Sequence, residues 1–277
     1  MSENNSFLRK QLLIYKQSRD DKDEFEVRFG TNNKNPITKI KFNTVIKKLK
    51  SLGFVTDSIE NYLNINNEFM DRGIKKYSNI RTKIGNLHNI KKYCMSNSLE
   101  HLDVSFLQKF RKKLPDNSYL QPIDFTDFEF RVNYKSENIL QKEHPLIQSL
   151  ISSWNDKKKI FRLIKRLTFI HPDLPFKFDL SVIKSSKKYK SKYKAEYNIR
   201  ASNVFMNPET YEIEIEIDNK HRSSDMMIKL KKSIKIILSA LQSTNYPISY
   251  KEQGLVLQEY VNRISGKIID RKIKSSD

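Results

Sequence analysis

Two stretches far apart in the chain place a carboxylate at every second position: Glu24-Phe25-Glu26-Val27-Arg28-Phe29 near the start, and Glu212-Ile213-Glu214-Ile215-Glu216-Ile217 toward the end. Successive side chains of an extended strand point to opposite faces, so Glu24, Glu26 and Arg28 share one side and Phe25, Val27 and Phe29 the other. In the second stretch three carboxylates stand about 7 Å apart, backed by three isoleucines. A single strand of this kind is what the wet side of any antiparallel sheet looks like. Two of them are a different matter. Rows of like charge weaken a sheet where they face one another, and a hard divalent cation is the usual way to make clustered carboxylates favourable.

Cationic residues occur elsewhere at the same period of two. Glu129, Arg131, Asn133 and Lys135 alternate with Phe128, Phe130, Val132 and Tyr134. Arg162, Arg166 and Thr168 share a face, Lys177, Asp179 and Ser181 alternate with Phe176, Phe178 and Leu180, and Arg81 and Lys83 flank Thr82. The set describes a sheet with one apolar face and one face bearing charges of both signs. That is sensible if the charged face lines an interior and the apolar face supports helices. A closed barrel of this kind suits phosphoryl transfer to water. Carboxylates fix Mg²⁺ or Mn²⁺, arginines and lysines neutralise the terminal phosphate, and a remaining carboxylate orients the attacking water. Arg131, Arg162 and Arg166 suit bidentate phosphate contacts.

The elements that must position these residues are legible in outline. Phe7, Leu8, Leu12 and Tyr15 predict an N-terminal helix, and residues 39–52, with Val45, Ile46, Leu49 and Leu52 at helical spacing, predict another that ends at Gly53. Strands are expected at residues 24–29, 79–84, 90–95, 126–135, 162–170, 176–183 and 211–217, with a helix at 145–154 carrying Leu146, Ile147, Leu150, Ile151 and Trp154 on one face. Two further helices are expected at 225–242, with Ile228, Ile234, Ile237, Leu238 and Leu241 inward, and at 250–264, stopping near Gly266. The run SSKKYKSKYK, with Lys187, Lys188, Lys190, Lys192 and Lys194, reads as an exposed turn that is as well explained by solvation as by RNA; Tyr189 and Tyr193 in it are suited to base stacking. No internal repeat or Pro/Gly/Ser linker divides the chain, so residues 1–277 read as one α+β domain built on antiparallel strands.

Composition sets the outer bounds. With 38% hydrophobic and 30% charged residues, 16 Phe and 13 Tyr, the sequence reads as globular, and its formal net charge of +20 points to a polyanionic partner. The one cysteine, Cys94, rules out an intramolecular disulfide and suggests a reducing compartment. The start, MSENNSFLRK, has no apolar signal run, and no stretch reaches the roughly 20 apolar residues of a membrane span, so an intracellular location is expected. The histidines, His88, His101, His144, His171 and His221, show no ligand spacing. The absence of a P-loop or Gly-x-Gly-x-x-Gly run removes the usual ATPase and dinucleotide readings.

EFEVRFG and YEIEIEID resemble the two glutamate strands of the triphosphate tunnel metalloenzymes, above all the RNA triphosphatases of fungal and large DNA virus mRNA-capping enzymes. FRVNYK, RLIKRLTF and FKFDLSVIK resemble that family's basic and Asp-bearing strands in the same order, so the similarity covers about residues 20 to 220. It implies an eight-stranded antiparallel β-barrel tunnel with flanking helices, in which Glu24, Glu26 and Glu216 bind Mg²⁺ or Mn²⁺. Glu212, Glu214 and Asp179 would hold metal-bound and nucleophilic waters, with Arg131 and Arg166 assisting catalysis. Arg131, Arg162, Arg166 and Lys177 would grip phosphate, with Arg28, Arg81 and Lys83 as further phosphate contacts.

The first strand carries Arg28 where the bacterial adenylyl cyclase and thiamine triphosphatase branch has Lys, which argues against that branch. Ile164 stands where a third basic residue would alternate between Arg162 and Arg166.

The resemblance implies removal of the γ-phosphate from triphosphate-ended RNA to leave a diphosphate end for mRNA capping. It also implies guanylyltransferase and methyltransferase domains as partners, and a place in the host cytoplasm or virion if viral, or in the nucleus if cellular. No Lys-x-Asp-Gly motif occurs, so guanylyl transfer is not this chain's own chemistry. Two other readings stay open: an inorganic tripolyphosphatase or nucleoside triphosphatase of the same fold, and a non-catalytic basic RNA-binding module.

Overall fold

A computed structural model of the chain describes residues 2–18, 20–31, 35–189, 192–219 and 225–265. In chain order the elements are α1 (Ser2–Ser18), β1 (Asp23–Phe29), α2 (Lys39–Ser51), β2 (Val55–Asp71), β3 (Ile74–Tyr77), β4 (Ile80–Gly85), α3 (Leu87–Ser96), β5 (Val104–Arg111), β6 (Ile123–Phe125), β7 (Phe130–Leu140), α4 (Pro145–Ser152), β8 (Lys159–His171), β9 (Leu174–Ser185), β10 (Lys188–Tyr189), β11 (Lys192–Tyr193), β12 (Glu209–Ile217), α5 (Met226–Gln242) and α6 (Tyr250–Ile264).

Eight strands pair antiparallel in the order β1-β12-β9-β8-β2-β4-β5-β7, and β7 pairs back with β1. The sheet is therefore a closed eight-stranded barrel, flanked among the described residues by six helices. Closure removes the exposed edges that an open sheet would present. β3 extends β2 as a hairpin and β6 adds to β7.

The alternation of the strands fixes what faces where. Phe25, Val27 and Phe29 of β1 and Ile213, Ile215 and Ile217 of β12 are all buried, on the outer face of the barrel wall. There they join Leu8, Leu12 and Tyr15 of α1, Phe42, Val45 and Leu49 of α2, and Leu230, Ile234 and Ile237 of α5. A second core lies against another part of the wall, where Leu63, Ile65, Ile84, Phe106 and Phe161 meet Ile90 and Tyr93 of α3 and Ile147 of α4. Two apolar layers thus press on the barrel from outside, which leaves the charged alternates pointing in.

Local chemistry explains several boundaries. Thr38 caps α2 by accepting from the Lys41 amide, and Ser249 with Glu252 forms a reciprocal capping box at α6. Gly30 ends β1 at φ +66°, where an added Cβ would meet Ile37 Cγ1 at 2.6 Å, so the chain needs glycine to turn and pack there.

The sequence-based expectations need correcting in places. Residues 90–95 form part of helix α3 instead of a strand. Asn86 caps the helix from the Asn89 amide, Asn97 closes it in the left-handed conformation at φ +54°, and Ile90 and Tyr93 are buried three apart. Strands β2, β5 and β6 were not anticipated. The 126–135 stretch begins with a 3-10 turn at Thr126–Phe128, and Glu129 adopts φ +53° before β7 starts. Ile228 is 72% exposed on α5, and Phe7, Leu52 and Leu146 are also exposed. Trp154 is core as expected, although it lies past the end of α4. Of the stretch read as an exposed turn, Lys188–Tyr189 and Lys192–Tyr193 pair as the short β10–β11 hairpin.

His144 caps α4 by accepting from the Leu146 amide at 3.2 Å, and the His171 ring packs on Phe54. Lys190, His221 and Gly266 lie outside the described residues. Among the described residues no helix is long and apolar enough to cross a membrane.

Candidate active site

Inside the barrel is a cavity of about 290 Å³. Both glutamate rows line it: Glu24 and Glu26 with Arg28 from β1, and Glu212, Glu214 and Glu216 from β12. The register explains the meeting, since β1 and β12 are neighbours with Glu26 opposite Glu216 and Arg28 opposite Glu214. Arg162 and Arg166 of β8 and Arg81 and Lys83 of β4 line the cavity as well.

The acids and bases are heavily paired. Arg28 donates through Nε to Glu214 Oε1 at 2.7 Å, and its Nη2 lies 4.0 Å from Glu212. Arg166 holds Asp179 at 2.8 Å and the other oxygen of Glu214 at 3.2 Å, while Arg162 donates to Glu212 at 2.8 Å. Burial alone would push the Glu214 carboxyl up, but Arg28 and Arg166 outweigh it and hold the group ionised, below its usual range. By the same balance Glu214, Glu212 and Glu26 keep Arg28 charged against the cost of its burial.

At the other end of the acidic row the balance reverses. Burial, with Glu24 and Asp179 nearby, pushes Glu216 up to about 8. Glu216 is therefore a carboxylate short of positive charge, in a wall that supplies it elsewhere.

The predicted site residues fall into two groups. Glu24, Glu26, Arg28, Arg81, Lys83, Arg162, Arg166, Glu212, Glu214 and Glu216 line one cavity. Asp179, Arg131 and Lys177 do not. Asp179 lies on the inner face of β9 opposite Glu214, buried beyond the cavity lining, where it accepts from Thr168 Oγ1 at 2.7 Å and from Arg166. Burial is the largest influence on its carboxyl and raises its pKa, against the opposing pull of Arg166 and Thr168. Arg131 is opposite Arg28 in register, but its side chain is 43% exposed and its guanidinium is spread across both oxygens of Asp124 on β6, at 2.6 and 2.9 Å. Lys177, opposite Glu216, is exposed.

Sequence reasoning missed Lys109, Glu137, Tyr62 and Asn64, which the fold brings to the cavity. Lys109 of β5 binds both oxygens of Glu24 at 2.6 and 2.8 Å and lies 3.8 Å from Glu137, and Tyr62 and Asn64 of β2 complete the wall. Lys135, noted only for its alternation on its strand, reaches Glu26 at 3.0 Å. The signal for Lys109 and Asn64 was present as alternation in VSFLQKFR and NYLNIN. Arg162 Nε and Asn64 Oδ1 are buried with no hydrogen-bond partner, as suits a wall that is completed by a ligand.

The donor set fits a hard divalent cation in kind, because Glu24, Glu26 and Glu216 offer oxygen ligands from adjacent strands and Glu216 lacks a counter-charge. Yet among the described residues no group of three acidic, histidine or cysteine side chains is drawn together tightly enough to hold an ion. Glu24 and Glu26 are engaged instead by Lys109 and Lys135, which would have to release them.

No protein-family model matches the sequence, and no curated protein matches it. Among solved structures, the Mimivirus capping enzyme triphosphatase in its triclinic crystal form aligns with a TM-score of 0.50 at 16% identity, covering 84% of this chain and 97% of that one. The chain has a triphosphate tunnel fold. The S. pombe Pct1 RNA triphosphatase aligns at 11% identity with a TM-score of 0.42, covering 96% of this chain and 93% of its own. At 16% identity the Mimivirus alignment speaks for the fold alone.

Proposed function

We propose that the chain is a metal-dependent RNA 5′-triphosphatase that hydrolyses the γ-phosphate of triphosphate-ended RNA and leaves a diphosphate end suitable for capping. The observation that carries this reading is a single cavity bounded by two glutamate rows and by arginines from a facing strand. Seven basic and six acidic side chains line it, so that even with Glu216 protonated the net positive charge is small. That is too little to neutralise a triphosphate, and a divalent ion would supply the difference.

Glu24, Glu26 and Glu216 are the residues that would hold Mg²⁺ or Mn²⁺, which when bound polarises a phosphate oxygen and draws off negative charge. Arg162, Arg81 and Lys83 would bind the phosphates of the incoming polyanion, and its arrival would draw Arg162 from Glu212. Glu212 and Glu214 would then accept hydrogen bonds from the attacking water and orient it toward the terminal phosphorus. Arg28 and Arg166 hold Glu214 ionised, so it stays a hydrogen-bond acceptor that orients the water, while its lowered pKa makes it a weak proton acceptor.

Release of labelled γ-phosphate from triphosphate-ended RNA, ATP and tripolyphosphate tests the reading. RNA is expected to be turned over best, and Glu24→Ala, Glu26→Ala and Glu216→Ala are each expected to abolish turnover in proteins that still fold. RNA performing no better than tripolyphosphate would favour an inorganic tripolyphosphatase or nucleoside triphosphatase of the same fold.

The extensive pairing within the tunnel favours a second reading, a basic RNA-binding module without catalysis. It predicts salt-sensitive RNA binding that needs no divalent metal and survives Glu214→Ala.

A further inference from the structure

Two grooves flank the β10–β11 hairpin, which follows β9 at the end of the barrel where Glu212 stands. The first, about 670 Å³, is lined among others by Glu212, Lys187, Lys188, Tyr193 and Tyr211. The second, about 820 Å³, lies between this hairpin and the β2–β3 hairpin, and its lining includes Lys75, Lys158, Lys192, Lys194 and Tyr189. Glu212 lines both the barrel cavity and the first groove, and Tyr193 lines both grooves. The three spaces therefore adjoin one another, tracing a track in outline from the interior of the barrel outward.

We propose that this track holds the first few nucleotides of single-stranded RNA whose 5′-triphosphate occupies the barrel, an inference that rests on the phosphohydrolase reading. The outer part of the track matches that polymer, whereas the first groove sets Lys187 and Lys188 against Glu209 and Glu212. The second groove carries four lysines against one carboxylate, Glu68, so it attracts a polyanion, although Lys194 also pairs with Glu196 at 2.7 Å. Tyrosines interleave with the lysines and offer flat surfaces on which unpaired bases stack, with Met70 and Ile74 as an apolar flank. Tyr193 is placed at the junction of the grooves. Tyr77 donates to its backbone carbonyl, and Lys188 lies 4.9 Å from the centre of its ring. Such a track accepts any sequence, because lysines read phosphate and tyrosines read only the π-face of a base.

The test uses Lys75→Ala/Lys192→Ala, which removes two exposed lysines that are not part of the barrel cavity, and separately Tyr193→Ala. Turnover is measured on tripolyphosphate and on triphosphate-ended RNAs of one, two and about six nucleotides. Binding of the longest RNA is followed by fluorescence anisotropy in EDTA over a salt series. Wild type is expected to show KM falling as the RNA lengthens. The double variant is expected to raise KM for the longest RNA several-fold with kcat and tripolyphosphate hydrolysis unchanged, and to flatten the plot of log affinity against log salt by about 1.4, roughly 0.7 per lost phosphate contact on a single strand. Tyr193→Ala is expected to raise KM for every RNA and not for tripolyphosphate.

A KM independent of RNA length, or variants that affect tripolyphosphate equally, would overturn the track and leave the tunnel reading intact. Wild-type protein that hydrolyses neither substrate removes the reading on which the track rests. Displacement of RNA by polyglutamate of equal charge as efficiently as by unlabelled RNA would assign the groove to an acidic peptide instead.

Discussion

Lys159 shows how far a single side chain can depart from its ordinary setting. It is fully buried at the start of β8, donates to the carbonyls of Trp154 at 2.5 Å and Lys157 at 2.8 Å, and lies 5.0 Å from the centre of the Trp154 ring. Burial pushes its ammonium down to about 8. The unfolded chain, with a lysine near its usual 10.5, binds more protons than the folded one between pH 8 and 10.5. The contribution of Lys159 to stability must therefore rise with pH through that window and stay at its low plateau below pH 8. Urea unfolding of wild type and Lys159→Met at pH 7, 8.5 and 10 checks this. The difference between them should move in favour of wild type as pH increases, and a pH-independent difference would show that the ammonium is not destabilised. The tunnel obeys the same electrostatics with the opposite outcome at Glu214, because two arginines more than offset its burial.

Among the elements, α2 and α6 are both well capped but differ in what they bury. α2 places Phe42, Val45 and Leu49 in the core behind β12, whereas α6 has no buried residue and exposes Leu255, Leu257, Tyr260 and Ile264. Removing a side-chain cap costs about 1 kcal/mol of helix stability. Thr38→Ala is thus expected to lower the global unfolding free energy by about that amount, because α2 unfolds with the barrel. Ser249→Ala is expected to reduce helical circular dichroism while the cooperative unfolding midpoint stays in place. A matched fall in the midpoint for both variants would mean that α6 is integral to the barrel's stability. The strands were legible wherever alternation was strict, as in β1, β9 and β12. α3 was misread because Tyr93, Cys94 and Met95 favour neither state strongly, and the asparagines that decide it act through backbone geometry at Asn86 and Asn97.

At the scale of the whole molecule, closure of the barrel rests on the seam between β1 and β7, elements more than 100 residues apart. Asp23 sits at that seam with its side chain wholly buried. It accepts from Lys112 at 2.7 and 2.8 Å, from Tyr134 at 2.6 Å, from Ser136 at 2.8 Å and from Ser18. One carboxylate thereby ties α1, the end of β5 and β7 to the first strand. Burial alone would raise its pKa, but these donors outweigh it and keep the carboxyl below its usual value. Asp23→Ala would leave a half-buried lysine and three hydroxyls without their acceptor, a loss of about 3 kcal/mol. A chemical denaturation series should show the fall, and a change under about 1 kcal/mol would mean that the seam is held by strand pairing alone.

Sequence by itself determined which residues carry charge at a period of two, and hence that Glu24, Glu26, Glu212, Glu214 and Glu216 share a face opposite their apolar neighbours. It did so because alternation is a local property of an extended backbone. Tertiary structure alone decided which strands became neighbours, and so that Lys109 answers Glu24, that Asp124 holds Arg131 at the barrel's edge, and that Asp179 pairs with Arg166. Those pairings depend on the order and register of strands distant in the chain, and register is set by the summed fit of the whole closed sheet, which no single segment encodes.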